Sequence, residues 1–95
     1  MTADEVMTAV TTVFPVTKED ILGPRRRRNE TDARHAVAYI LNKHSRFSLT
    51  QIGEIINRPN HGTVVYAVKH AECLYDTDKH YRAMLDRVLA KLNLT

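Results

Sequence analysis

Residues that stop helices cut this chain into short segments, and the segments allow one kind of architecture. The stops are Pro15, Gly23-Pro24, Asn57-Arg58-Pro59-Asn60 and Asp76-Thr77-Asp78. Proline lacks the N–H and clashes with the preceding turn, so a helix ends before it. Between the stops, apolar residues recur at helical spacing, and strand-like alternation is weak. Val6, Ala9/Val10 and Val13 predict a helix over 3–14. Thr17-Lys18-Glu19-Asp20 has the form of a capping box, in which a hydroxyl and a carboxylate satisfy each other's backbone N–H groups, and predicts a turn over 18–22. Asn29 to Asp32 offer caps for a helix carried by Ala33, Ala36/Val37, Ile40 and Leu41 to about Ser45. Ser48 with Gln51 repeats the capping spacing before Leu49, Ile52 and Ile55/Ile56. Asn60 caps a helix over 61–75 with Val64, Ala67/Val68, Ala71 and Leu74/Tyr75 inward. A last helix over 78–93 turns Tyr81, Met84/Leu85, Val88 and Leu92 inward. The expected fold is all-α, a compact five- to six-helix domain with short loops.

With 95 residues, one small domain spanning 1–95 is expected. The three glycines are scattered and form no phosphate-cradling loop, which argues against nucleotide hydrolysis by that route. The single cysteine, Cys73, excludes an internal disulfide and reads as a small core residue. No apolar run approaches the ~20 residues that span a bilayer, and the acidic start MTADEV is unlike a signal peptide. A cytoplasmic protein without a membrane partner is expected. Five histidines (His35, His44, His61, His70, His80) show no metal-ligand spacing and read as structural or surface residues. Acid pairs such as Glu19-Asp20 and Asp76/Asp78 read as caps. No nucleophile–base pair supports an enzyme, and no cofactor, metal or small-molecule substrate is expected.

The net charge of +3 is unevenly spread. Residues 1–22 carry one base and four acids, whereas 23–46 carry seven bases and two acids, a local +5. Residues 47–70 are near neutral and 71–95 are balanced. The excess centres on Arg25, Arg26, Arg27 and Arg28, in a basic loop over 23–28. Such a patch suits a polyanionic partner, nucleic acid first, or else a solvated basic linker.

Residues 48–75 give a short helix, a tight turn and a longer helix, the layout of a helix-turn-helix. The second helix would present Asn60, His61, Gly62, Thr63 and Tyr66 to base edges in a DNA major groove. Val64 and Val68 belong to the core, so Thr63, Tyr66 and His70 share the outward face. Asn and Thr can hydrogen-bond base edges, and a Thr methyl can pack on thymine. By itself the layout is a weak signal, because helix–turn–helix arrangements that merely pack together are common.

Several stretches, in order, resemble the C-terminal DNA-binding domain of DnaA, the bacterial chromosomal replication initiator family. RPNHGTVVYAV (58–68) is similar to a segment in which the family has Asp-His-Thr-Thr-Val at positions 60–64. SLTQIG (48–53) is similar to Ser-Leu-x-x-Ile-Gly, DILGPRRRR (20–28) to Asp-Leu-Leu and a basic loop, and ARHAVAYIL (33–41) to Ala-Arg-Gln-x-Ala-x-Tyr-Leu. The resemblance runs over roughly 6–92 without an insertion. It implies a Trp-repressor-like fold and binding of short duplex sites, the DnaA boxes. It also implies roles: Arg26 in the minor groove, among Arg25 to Arg28; Arg28 and Arg34 near phosphates; the helix start at Leu49 and Thr50 on phosphate. His61 and Thr63 match readers of the major groove, and Tyr66 stands where the family usually has His.

Two departures bear on specificity. Asn60 replaces the family's acid, and Gly62 replaces a threonine, removing a methyl and a hydroxyl. Each lost base contact is worth ~1–3 kcal/mol of discrimination, so sequence preference is expected to shift while phosphate binding persists. The family's ATPase motifs do not occur in these residues, so a stand-alone or excised DNA-binding part is expected, bacterial or phage in origin and nucleoid-associated. Sequence-biased duplex binding without ATPase activity, in replication control or repression, is the leading expectation. An adaptor module that kept the fold but lost specific DNA binding is the alternative.

Overall fold

The computed structural model describes residues 1–94. It contains α1 (Ala3–Val13), α2 (Lys18–Leu22), α3 (Arg28–Lys43), α4 (Leu49–Ile55), α5 (His61–Thr77) and α6 (Lys79–Lys91). There is no strand among the described residues, so the expected all-α class is found, with six helices. The helices start largely where the caps predict. Thr17 with Asp20 and Ser48 with Gln51 close both bonds of a capping box, as does Thr2 with Glu5. Asn60 accepts from the Thr63 N–H and Asp78 from the Tyr81 N–H. Backbone N–H groups hold the cap carboxylates of Glu5, Asp20 and Asp78 below their ordinary range.

Three expectations need correction. α3 begins at Arg28, ahead of the caps expected between Asn29 and Asp32, and Arg27 takes the cap position without a side-chain bond. Asp32 pairs with Arg28 one turn away at 3.5 Å and so belongs to the helix it was expected to precede. Arg28 therefore lies on a helix, and the loop proper ends at Arg27. Next, α5 continues to Thr77, where the Asp78 N–H donates to the Leu74 carbonyl and closes the last turn, and Asp78 then caps α6 directly. Finally, Cys73 is exposed on α5 and is not part of the core.

α3 is the hub, packing most extensively on α5 and also on α1, α2 and α4. Its Ala33, Ala36, Val37, Ala38, Ile40 and Leu41 are fully buried, and three alanines among six let the neighbouring helices approach closely. α6 closes the far side with Tyr81, Leu85, Val88 and Leu89, against α1 and α5. Met84 and Leu92, expected inside, pack at the core margin, and the buried residues form one cluster.

Candidate nucleic-acid interface

The helix-turn-helix turn depends on a close backbone approach. The Arg58 N–H donates to the Gly53 carbonyl over 2.7 Å. A Cβ on Gly53 would lie 2.8 Å from the Arg58 carbonyl oxygen and 3.3 Å from a Val64 methyl, so only glycine fits unstrained. Asn57 takes φ 58°, the left-handed conformation that asparagine tolerates better than most residues, and its amide donates to the Leu22 carbonyl. This turn aims the start of α5 outward. Asn60, His61, Gly62 and Thr63 are exposed, while Val64, Ala67, Val68 and Ala71 anchor the inner face.

The basic loop is held from beneath. Arg34, 4% exposed, donates from Nε to the Ile21 carbonyl at 2.7 Å. Its Nη2 reaches the carbonyls of Asp20, Gly23 and Arg25 at 3.1–3.2 Å. Burial lowers its pKa, the Arg58 and Arg26 charges add to that, and Glu30 opposes it. Arg58 Nη2 donates to the Gly23 carbonyl at 2.6 Å and ties the loop to the helix-turn-helix. Sequence reasoning missed Arg58 as a tie; its place in the turn, opposite a glycine-containing basic loop, was the available signal.

These ties separate the arginines by role. Arg34, expected near phosphate, has its guanidinium on loop carbonyls and is almost wholly buried at the groove wall, where it holds the loop. Arg28 lies 3.5 Å from both Asp32 and Asp78, drawn toward the start of α6. Arg27 sits 3.7 Å from the buried Glu30. Arg25 and Arg26 are exposed, with no ion pair among the described residues.

An open groove of about 580 Å³ runs between loop and helix. Of the sequence-predicted residues, Arg26, Arg34, Asn60, Gly62, Thr63 and Tyr66 line it. Thr31, His35, Ile56, Arg58 and Ala67 complete the lining. His61 is exposed at the start of α5 but does not line the groove, and neither do Leu49 and Thr50 at the start of α4. Leu49 is half-buried against the core and Thr50 is exposed. Tyr66 is 61% exposed and stacks on His70, with ring centroids 5.5 Å apart. His70 in turn hydrogen-bonds His35, Nδ1 to Nδ1, at 2.8 Å. Burial pushes His35 down to about 4, with the charges of His70 and Arg34 acting the same way, so His35 is neutral at pH 7.

The face is concave, with a basic lip and a polar helix start, and it offers donors to an anion and to flat hydrogen-bonding edges. Among the described residues, no His, Cys, Asp or Glu cluster is arranged to hold a metal ion. No helix among them is long and apolar enough to cross a membrane.

Comparison with known proteins agrees with this layout. Residues 3–70 match the family model described as bacterial dnaA protein helix-turn-helix. The chain is 28% identical over 88 residues to the chromosomal replication initiator protein DnaA of Bacteroides fragilis, covering 93% of this chain and 18% of that protein. It is 30% identical over 77 residues to the DnaA protein of Borreliella burgdorferi, covering 81% of this chain and 16% of the relative. It is 30% identical over 88 residues to the Gloeobacter violaceus DnaA protein, covering 93% and 20%. The chain thus spans about a fifth of the length of these relatives. On its sequence, its six-helix layout and the glycine-dependent turn that sets α5, this chain belongs to the bacterial DnaA helix-turn-helix family.

Proposed function

We propose that this chain binds double-stranded DNA in a sequence-biased way, as a non-catalytic module of DnaA-box type, in replication initiation or transcriptional control at the nucleoid. One observation carries the reading: the exposed basic loop and the polar start of α5 border the same groove, with Arg26 on one side and Asn60, Gly62 and Thr63 on the other. Arg25, Arg26, Arg27 and Arg28 supply attraction to phosphates, with Arg26 entering the minor groove. The starts of α4, at Leu49 and Thr50, and of α5 meet the adjacent backbone and major groove. Asn60, His61, Thr63 and Tyr66 read base edges. Arg34 contributes by holding the loop in place.

Gly62 is where the base preference departs from the family. Its backbone does not require glycine, since φ is not positive. An added Cβ would meet only the Asn60 side-chain oxygen, at 3.2 Å. The missing side chain therefore takes a methyl and a hydroxyl off the reading face, while its absence spares the Asn60 cap oxygen a crowded contact. The preferred duplex differs from the standard DnaA box at the bases facing this position.

The test is fluorescence anisotropy with random and box-containing duplexes at two salt concentrations. Salt-sensitive binding to both, with His61→Ala plus Thr63→Ala flattening the difference between duplexes, is expected. No binding at low salt would refute the reading and favour an adaptor module. Recovery of the unaltered box as the tightest site from a random pool would refute the altered preference.

A further inference from the structure

Tyr66 is the largest exposed side chain on the reading face, and a lone aromatic on a helix surface is free to change rotamer. Here it is backed twice. The His70 imidazole lies parallel to the tyrosine ring, the two planes 8° apart. The His35 ring, from α3, stands edge-on to both, with centroids 5.8 Å from Tyr66 and 4.9 Å from His70. The Nδ1-to-Nδ1 hydrogen bond of 2.8 Å fixes His70 to His35 across the α3–α5 interface. Such a bond between neutral imidazoles requires opposite tautomers, one carrying hydrogen on Nδ1 and the other on Nε2. The pair is thereby directional, and His35, 7% exposed, cannot turn away.

We propose that His35 and His70 are positioning residues for Tyr66, fixing its ring in one orientation at the groove so that it meets DNA without a cost of ordering. His70 also faces the neighbouring hollow lined by Arg26, Arg28 and Asp32, so a direct contact of His70 with phosphate is the competing role. The proposal rests on the DNA-binding reading above, and the test separates the two.

The experiment is a double-mutant cycle on the whole chain, read by anisotropy with the tightest duplex recovered from a random-sequence pool. Tyr66→Ala and His70→Ala are each expected to weaken binding about three- to tenfold, and the double variant to be no weaker than Tyr66→Ala alone. Losses that multiply would overturn the proposal, because His70 would then act on DNA by itself. A His70→Ala protein that binds like the parent would also overturn it, as would a neutral Tyr66→Ala. If instead the parent chain enriches no duplex and Arg26→Ala changes nothing, the DNA reading itself has failed. Nitrogen NMR of the imidazoles supplies a signature that a packing role alone would not give: opposite tautomers for His35 and His70 in the parent chain. Identical tautomers would overturn the pairing.

Discussion

The basic loop and the start of α5 face each other across one groove, yet they are fixed by different forces. α5 is held by packing: Val64, Ala67, Val68 and Ala71 are buried along one side, and Asn60 caps the end. The loop over 23–27 buries no large apolar side chain. Its place is set by hydrogen bonds that two arginines from other elements, Arg34 and Arg58, donate to its carbonyls. The contrast teaches that arginines in one small region divide into anchors and free cations. Buried hydrogen bonds from a charged donor are worth roughly 1.5–3 kcal/mol each, whereas an exposed arginine contributes almost nothing to the fold. Stability and DNA affinity should therefore respond to different arginines.

The largest effect is expected at the anchor. Arg34→Ala removes the donor to the Ile21, Asp20 and Arg25 carbonyls, while Gly23 keeps its bond from Arg58, and should cost at least about 3 kcal/mol in urea unfolding. A variant as stable as the parent would erase the distinction between anchor and free cation. On the helix side the matching change is Gly53→Ala, which sets a Cβ against the Arg58 carbonyl. It should cost about 1–3 kcal/mol by overpacking and weaken DNA binding by tilting α5. A stabilised Gly53→Ala protein would mean that the turn does not govern the reading face.

A titration sharpens the same comparison. His35 has its pKa lowered by burial to about 4, against 6.5 when free. Between those values the unfolded chain binds the extra proton, so stability is complete above the upper value and declines as pH falls toward the lower one. The loss is on the order of 2–3 kcal/mol. Thermal unfolding at about pH 7 and about pH 5 should show it in the parent and much less of it in His35→Gln, which has no imidazole to charge. Equal losses in the two proteins would place the acid sensitivity elsewhere. The smallest expected effect on the fold is at Gly62: Gly62→Ala gains helix propensity but crowds the cap oxygen, leaving stability within about 0.5 kcal/mol.

Much of this was legible in the sequence because helix starts are written locally. Ser48 with Gln51 and Thr17 with Asp20 form the capping boxes that their spacing predicts. The apolar positions of 61–71 follow from a period of 3.6 residues. The reading fails where a residue's role is set by distant partners. Arg34 looks like part of the basic patch, and only the carbonyls of Ile21 and Gly23 arriving from another segment turn it into an anchor. His35 and His70 are 35 residues apart, and nothing local marks them as a pair. Cys73 resembles a core residue by type, but its position on α5 faces outward.

In the proposed DNA complex the exposed loop arginines, and not the anchored Arg34, meet the phosphates. The most direct measurement is the slope of log K against log salt for the parent chain and for Arg26→Ala. Steep salt dependence is expected, about −0.9 per neutralised phosphate, with Arg26→Ala shallower by roughly one phosphate and folding as the parent does. Salt-insensitive binding, or identical slopes for the two proteins, would contradict it.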